Sequence, residues 1–476
     1  MNRIVGLETE YGCLSSEAIG TPGAVPRVRD YIFRDDRFGL IDVHQRDWDE
    51  PAGNGGFLYN GGRAYVDMGH LEYCTPECVD LLDVLKYDRA GDLMVCQAVR
   101  DLHLSKTVSF IRNNVDHYSG ATFGCHENYL LRRSAPLTEE NVHSLLAFLT
   151  IRILMTSAGR VGAVQAPEAR RSQDKNSGDN IFQISQRADY INNDLFEWVQ
   201  FNRAIINTRD EPLGDARKFR RLHLLHGDSN VLPTTLLLKV GTTALVLDLL
   251  EANALPDIRL ADAVLTYRQF SHNPDGPWIT LLANGKSVDA IELLGLYHRK
   301  ASEEFAGRDA ETDILLDEWK STLASLATKR EELVGKIDWI TKKFILEAFK
   351  NEENLEWNSE WMKSQDLEFH HIDRERNLGL ALENTREEWI VSRAAQSKAI
   401  LTPPSNSRAN SRSRLMEQFR SKKLASYFLD WEVVGLEGKH SLSMLDPFDP
   451  DPTEAETWLA EILREESSRA KGNKKD

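Results

Sequence analysis

Cysteine is scarce. The 476 residues contain five, at Cys13, Cys74, Cys78, Cys96 and Cys125, and no two form a CxxC pair. An odd, dispersed set argues against a disulfide framework or a zinc site and fits reduced thiols in a cytoplasmic protein. Basic excess is also missing: the formal net charge is −16, with 58 Lys and Arg against 74 Asp and Glu. No surplus of positive charge is available for a phosphate backbone, so nucleic acid is not expected as a partner. The most apolar stretch, Leu236 to Leu250, is too short to span a bilayer and contains Lys239 and Asp248. It predicts a buried helix and no membrane association. Strand-like residues begin at once, so no signal peptide is expected. A GxxxxGKS or GxxxxGKT phosphate loop, a convincing GxGxxG and any internal repeat are absent, which excludes the common glycine-rich nucleotide cradles.

What is present begins with ordinary globular composition, 41% hydrophobic and 28% charged, in a chain long enough for a large domain and a smaller one. Two short acidic strands organise it: Gly6-Leu7-Glu8-Thr9-Glu10-Tyr11-Gly12, and Arg63-Ala64-Tyr65-Val66-Asp67 followed by Glu72. Alternate side chains of a strand point to opposite faces. Glu8 and Glu10 therefore share one face. Arg63, Tyr65 and Asp67 share another, with Ala64, Val66 and Met68 on its reverse. In one sheet these carboxylates would converge and repel one another unless cations sat among them. Hard oxygen donors of this kind suit Mg²⁺, which commonly also holds substrate phosphates. Acidic residues on a strand that merely face water are the competing reading.

Residues 13–56 are polar and rich in glycine and proline, and read as a long irregular connection with a short helix near Val28 to Phe33. Asn60-Gly61-Gly62 is a turn into the second acidic strand. A helix is expected over 79–105, strands over 107–116 and 123–130, and a helix over 142–155. In the strand 123–130, His126 and Asn128 share a face. A flexible loop covers 164–179, and mostly helical structure spans 258–349. Arg209 and the run Arg220-Arg221-Leu222-His223 beside short strands are natural phosphate clamps. A boundary is expected at Leu401 to Arg408, where prolines and small polar residues cluster. Beyond it, Trp431 reads most simply as a core residue, Glu454 to Arg464 as a helix and the remainder as a disordered tail.

These stretches together resemble the Pup ligase/depupylase family, carboxylate–amine ligase relatives of glutamine synthetase. The resemblance runs through GLETEYG (Gly6 to Gly12), NGGRAYVD (Asn60 to Asp67), EYCTPEC (Glu72 to Cys78), NNVD (Asn113 to Asp116) and FGCHENYL (Phe123 to Leu130). It continues through SQRADY (Ser185 to Tyr190), INTRDEP (Ile206 to Pro212), RRLH (Arg220 to His223), GDSN (Gly227 to Asn230), KVGTTALVLDLLE (Lys239 to Glu251), IDW (Ile337 to Trp339) and DPF (Asp446 to Phe448). It implies an α+β fold: a glutamine synthetase-like domain over 1–400, whose curved, mainly antiparallel sheet cradles Mg-ATP, and a small C-terminal domain over 401–476. It implies that Glu8, Tyr65 and Glu72, with Glu10, hold Mg²⁺. Arg63 and Thr75 would contact ATP, Trp431 would reach the nucleotide, Arg209 would face the phosphates with His223 as a neighbour, and Asp67 would be the catalytic carboxylate.

One branch of the family joins the C-terminal glutamate of a disordered modifier, Pup, to lysines of target proteins, with an indirect link to the bacterial proteasome. The other deamidates the modifier or cleaves it from targets. The chain resembles the ligase branch through GLETEYG and GCHENYL, and lacks the long insertion that the other branch carries between the acidic strands. The segment Asp67 to Tyr73 is one residue shorter than the usual ligase pattern, and Leu213 stands where a histidine is usual.

Overall fold

A computed structural model describes all residues except 2, 19, 48–49, 119, 164–179, 198–202, 383–389 and 473–476, and for 466–472 the backbone alone. The expected loop 164–179 thus lies outside the described residues.

β1 (Val5–Ser15) shows the alternation its sequence dictates. Val5, Leu7 and Thr9 are buried while Glu8 and Glu10 face the open side. It is the centre of a ten-stranded sheet formed with β2 (Gly39–Ile41), β3 (Gly55–Leu58), β4 (Arg63–Asp67), β5 (His70–Cys74), β6 (Val108–Ile111) and β7 (Cys125–Arg132). The short strands β8 (Arg160–Val161) and β9 (Phe182–Gln183) pair separately, and β10 (Ile191–Phe196), β11 (Arg203–Asn207) and β12 (Phe219–Leu224) complete the sheet. The order is β10-β11-β12-β7-β1-β5-β4-β3-β2, with β6 joining the far end of β1. Only β10 and β11 run parallel among the sheet's described pairs. The mainly antiparallel sheet expected from the sequence is therefore present.

Helices cover the reverse face. α1 is Ala24–Phe33, α2 Leu81–Asp101, α3 Glu139–Ile151, α4 Ile153–Thr156 and α5 Pro233–Glu251. α5 is apolar all round and buried on nearly every side, as a core helix must be; it packs with α2, Leu7 and Tyr129 in the largest cluster. Burying each such leucine contributes about 2 kcal/mol. Lys239 on this helix is fully buried, its Nζ donating to the Asp228 carbonyl at 2.7 Å. All five cysteines are free thiols.

Several segments differ from the sequence reading. The short helix expected near Val28 to Phe33 is present as α1, starting at Ala24, but the rest of 13–56 is less irregular than expected: β1 runs on to Ser15, and β2 and the start of β3 follow α1. Val25, Val28, Tyr31 and Ile32 of α1 are buried against Tyr11 and Tyr73. The strand expected over 107–116 stops at Ile111, because Arg112 turns inward to Asp88 and Asp92 at 2.9 and 2.6 Å. The mostly helical 258–349 contains a hairpin, Ile279–Leu281 with Ser287–Asp289. The C-terminal helix runs from Thr453 to Gly472, so most of the expected tail is helical.

The C-terminal segment packs on the β2–β3 end of the sheet. Its helix Ala409–Lys422, its three short strands and its last helix share a cluster with Leu40, Phe57 and Tyr59. Phe57 lies opposite Arg63 in the ladder, so this segment stands over the same sheet face as the acidic residues.

Candidate active site

Residues directly opposed in an antiparallel ladder place their side chains on the same face. The register pairs Glu10 with Glu72, Glu72 with Tyr65 and Asp67 with His70. It also pairs Glu8 with Cys74 and with His126, and Asn128 with His223. Glu8, Glu10, Arg63, Tyr65, Asp67 and Glu72 thus occupy one surface, as the alternation of the two acidic strands requires. Met68, expected on the reverse face of β4, instead sits in the turn. Met68 and Gly69 have φ of 43° and 94° and close a two-residue loop between Asp67 and His70, which needs positive φ at both positions. Met68 is 87% exposed beside the site.

Two donor groups emerge. Glu10, Asp67 and Glu72 offer oxygens within 4.8 Å of one another, and Glu8, His126 and His223 do the same with oxygen and nitrogen. Glu8 accepts from Asn128 Nδ2 at 2.8 Å and meets His126 Nδ1 at 2.9 Å. Burial pushes its carboxyl up, but the His126 hydrogen bond and the charge of Arg221 outweigh this and leave it well below the usual carboxylate range. Glu72 is the opposite case. Burial, then the charges of Glu8 and Glu10, push its carboxyl well up, although Tyr65 donates to it at 2.6 Å. Burial lowers His223 to about 3, so it is neutral. It is 9% exposed and neither ring nitrogen has a hydrogen-bond partner among the described residues. A crowded carboxylate group and a neutral histidine with two unused ring nitrogens suit divalent cations.

Gly124 makes room for this arrangement. A Cβ there would lie 2.6 Å from both Glu10 Oε1 and His126 Nε2, so any side chain would displace a donor.

A cavity adjoins the donor groups, walled by Glu8, Tyr65, Arg63, Thr75, Arg221 and Trp431. Arg63 bonds Asp42 at 3.1 Å and Glu50 at 3.0 Å, and its guanidinium lies 4.3 Å from the centroid of the Tyr65 ring. Thr75 Oγ1 accepts from the Leu7 amide at 3.0 Å, which pins β5 to β1. Arg209 is placed otherwise than the sequence suggested. It sits after β11, is 58% exposed and pairs with Glu211 at 2.7 Å. Of the arginines read as phosphate clamps, Arg221, on β12, is the one that lines the cavity. Trp431 is half-buried rather than a core residue, edge-on to Phe57 at 5.1 Å.

Sequence reasoning missed what holds Trp431. Glu77 is buried between two arginines, accepting from Arg408 Nε at 2.7 Å and Arg412 Nη2 at 2.6 Å. Arg412 also donates to the Trp431 carbonyl at 2.9 Å and the Gly61 carbonyl at 2.6 Å. Its guanidinium lies 5.0 Å from the Trp431 ring centroid. Burial pushes the Glu77 carboxyl up, but the two guanidiniums overcome this and hold it at about 2. His126 and His223 carried a sequence signal in GCHENYL and RRLH; Glu77 lies within EYCTPEC, but nothing in the sequence pairs it with Arg412.

Residues 3–435 match the family model described as Pup-ligase protein. The chain is 33% identical over 487 residues to a depupylase of Acidothermus cellulolyticus, covering 94% of each chain. It is 33% identical over 477 residues to a Pup–protein ligase of Acidimicrobium ferrooxidans, covering 97% of this chain and 99% of that one. Its structure is similar to that of the ligase PafA in complex with the prokaryotic ubiquitin-like protein Pup, with TM-score 0.81, 28% identity and coverage of 97% and 92%. It is also similar to PafA in complex with ADP, with TM-score 0.76 and 27% identity over 94% and 96% of the two chains. On a match that spans nearly the whole chain, the protein belongs to the Pup-ligase family.

Proposed function

We propose that this enzyme is an ATP-dependent ligase that joins the C-terminal glutamate side chain of a Pup-like modifier to lysines of target proteins. The observation that carries the reading is the convergence of Glu8, Glu10, Asp67 and Glu72 on one sheet face beside the cavity walled by Arg63, Arg221 and Trp431.

A carboxylate does not condense with an amine in water until one of its oxygens becomes a leaving group. ATP supplies one: the γ-carboxylate attacks the γ-phosphorus, releasing ADP and leaving an acyl phosphate. The lysine nitrogen then attacks the carbonyl carbon, phosphate departs, and the amine proton passes to a base. Asp67, at the turn end of β4, is the base in this reading. Mg²⁺ would be held by Glu8, Glu10, Tyr65 and Glu72, with His126 and His223 able to contribute nitrogens, and would neutralise charge on the transferring phosphoryl group. Arg221 and Arg63 extend positive charge along the nucleotide side, and Trp431 offers a ring for the base. Arg209, exposed beside Glu211, is better placed at the rim than on the phosphates.

Depupylation on the same scaffold is the second reading, favoured by the identity to the depupylase relative. Against it stands the connection between the acidic strands. Much of it is folded as α1 and β2 against the core rather than projecting as a long insertion.

Hydroxylamine tests the reading. With ATP, Mg²⁺ and a Glu-ended modifier but no lysine acceptor, a ligase passing through an acyl phosphate yields modifier hydroxamate in amounts matched by ADP. Absence of hydroxamate under conditions that support conjugation would overturn the acyl-phosphate route.

A further inference from the structure

Behind the sheet, between α2 and the stretches 371–380 and 393–396, lies a second cavity unused by the proposed chemistry. Five arginines line it, Arg89, Arg100, Arg112, Arg374 and Arg393, against three acids, Asp92, Asp373 and Glu375. The buried pair Arg89 and Arg112 are held by Asp88, at 2.8 and 2.9 Å, and Arg112 also by Asp92. Arg100 and Arg393 are exposed, and no carboxylate among the described residues pairs with either.

The lining also holds two buried N–H groups with no acceptor among the described residues. His371 is 5% exposed. Its Nδ1 accepts the Asp373 amide at 2.9 Å, which places the ring proton of the neutral form on Nε2. Neither that Nε2 nor Arg112 Nε has a partner among the described residues. A buried donor left unmatched costs about 1–3 kcal/mol, and forked guanidinium donors match the geometry of a compact oxyanion. Desolvation alone would not favour two donors unmatched among the described residues beneath two cations that no described carboxylate pairs. An anion answers both.

We propose that this rear cavity binds a phosphate-class oxyanion, through Arg100 and Arg393 at the rim and Arg112 and His371 beneath. The site lies across the sheet from the donor groups. Asp92 accepts from Tyr11 Oη at 2.8 Å, and Tyr11 follows Glu10 on β1.

The experiment uses the full chain and inorganic phosphate. Thermal unfolding is followed against phosphate at constant ionic strength, balanced with chloride, for the wild type and for Arg100→Ser/Arg393→Ser. Both replaced residues are exposed, so the fold does not depend on them. Phosphate reaching the front site affects both proteins equally, so their difference reads the rear cavity and is independent of the ligase reading. The wild type is expected to gain about 1–2 °C at phosphate tenfold above its dissociation constant, and the double variant to need at least tenfold more phosphate for the same gain. An equal phosphate response in both proteins, or no response beyond chloride in the wild type, overturns the proposal.

Discussion

Asp67→Asn is expected to lower conjugation by about a hundred- to ten-thousand-fold, the range that a positioned general base contributes, while nucleotide binding stays within a few-fold of wild type. The two effects separate because of where Asp67 lies. It is at the turn end of β4, in one group with Glu10 and Glu72, whereas the cavity that would take the nucleotide is walled by Arg63, Thr75 and Arg221 toward the other end. An amide of the same size keeps the turn but accepts no proton. Glu8→Gln is the contrasting variant. Glu8 sits between His126 and Asn128, and loss of its charge should weaken Mg²⁺-dependent nucleotide binding. Rapid-quench conjugation assays and a nucleotide titration across Mg²⁺ concentrations read the pair. Near-normal turnover in Asp67→Asn would remove Asp67 as the base; unchanged Mg²⁺ dependence in Glu8→Gln would remove Glu8 from the metal set.

The other large effect concerns the C-terminal segment. Arg412→Met is expected to destabilise the protein by about 3–5 kcal/mol, as breaking a buried ion pair from one side does, and to weaken nucleotide binding by loosening Trp431. Arg412 joins Glu77, the Gly61 carbonyl and the Trp431 carbonyl. Its loss leaves Glu77 buried with Arg408 only. The pH dependence has a fixed sign. Glu77 titrates near 2 in the folded protein against an ordinary 4.5. Its stabilisation is therefore present in full above about 4.5 and is lost as the pH falls toward 2. The stability gap between wild type and Glu77→Gln should be widest near neutrality and narrow through that window. Chemical denaturation at a series of pH values measures it. A gap that widened on acidification would contradict the assignment of Glu77 as the buried anion.

The acidic face was legible because strand alternation is a local rule. Knowing that Glu8 and Glu10 share a side, and that Arg63, Tyr65 and Asp67 do, needs no knowledge of the sheet. Which of Arg209 and Arg221 enters the cavity was not legible. Arg209 and Arg221 are both in polar runs beside strands, and only the pairing of β12 with β7 puts Arg221 inward. Helix α1 was legible only in its second half, Val28 to Phe33. Its first turn begins at Ala24, and there glycine, proline and arginine around Val25 masked the period. The clamp on Trp431 joins residues more than 300 positions apart, Glu77 and Arg412, and no local pattern announces such a pair. The exposed turn at Met68 does relate to the sequence. The short segment after Asp67 is short because a two-residue turn closes it.

The most direct measurement is the stoichiometry of ATP use against bond formation. The protein is incubated with ATP, Mg²⁺, a Glu-ended modifier and a lysine-bearing protein, and ADP and isopeptide are counted together. One ADP is expected for each isopeptide formed, with little release of modifier from a preformed conjugate under the same conditions. Rapid deamidation of a Gln-ended modifier without net ATP consumption, together with failure to ligate the Glu-ended form, would contradict it.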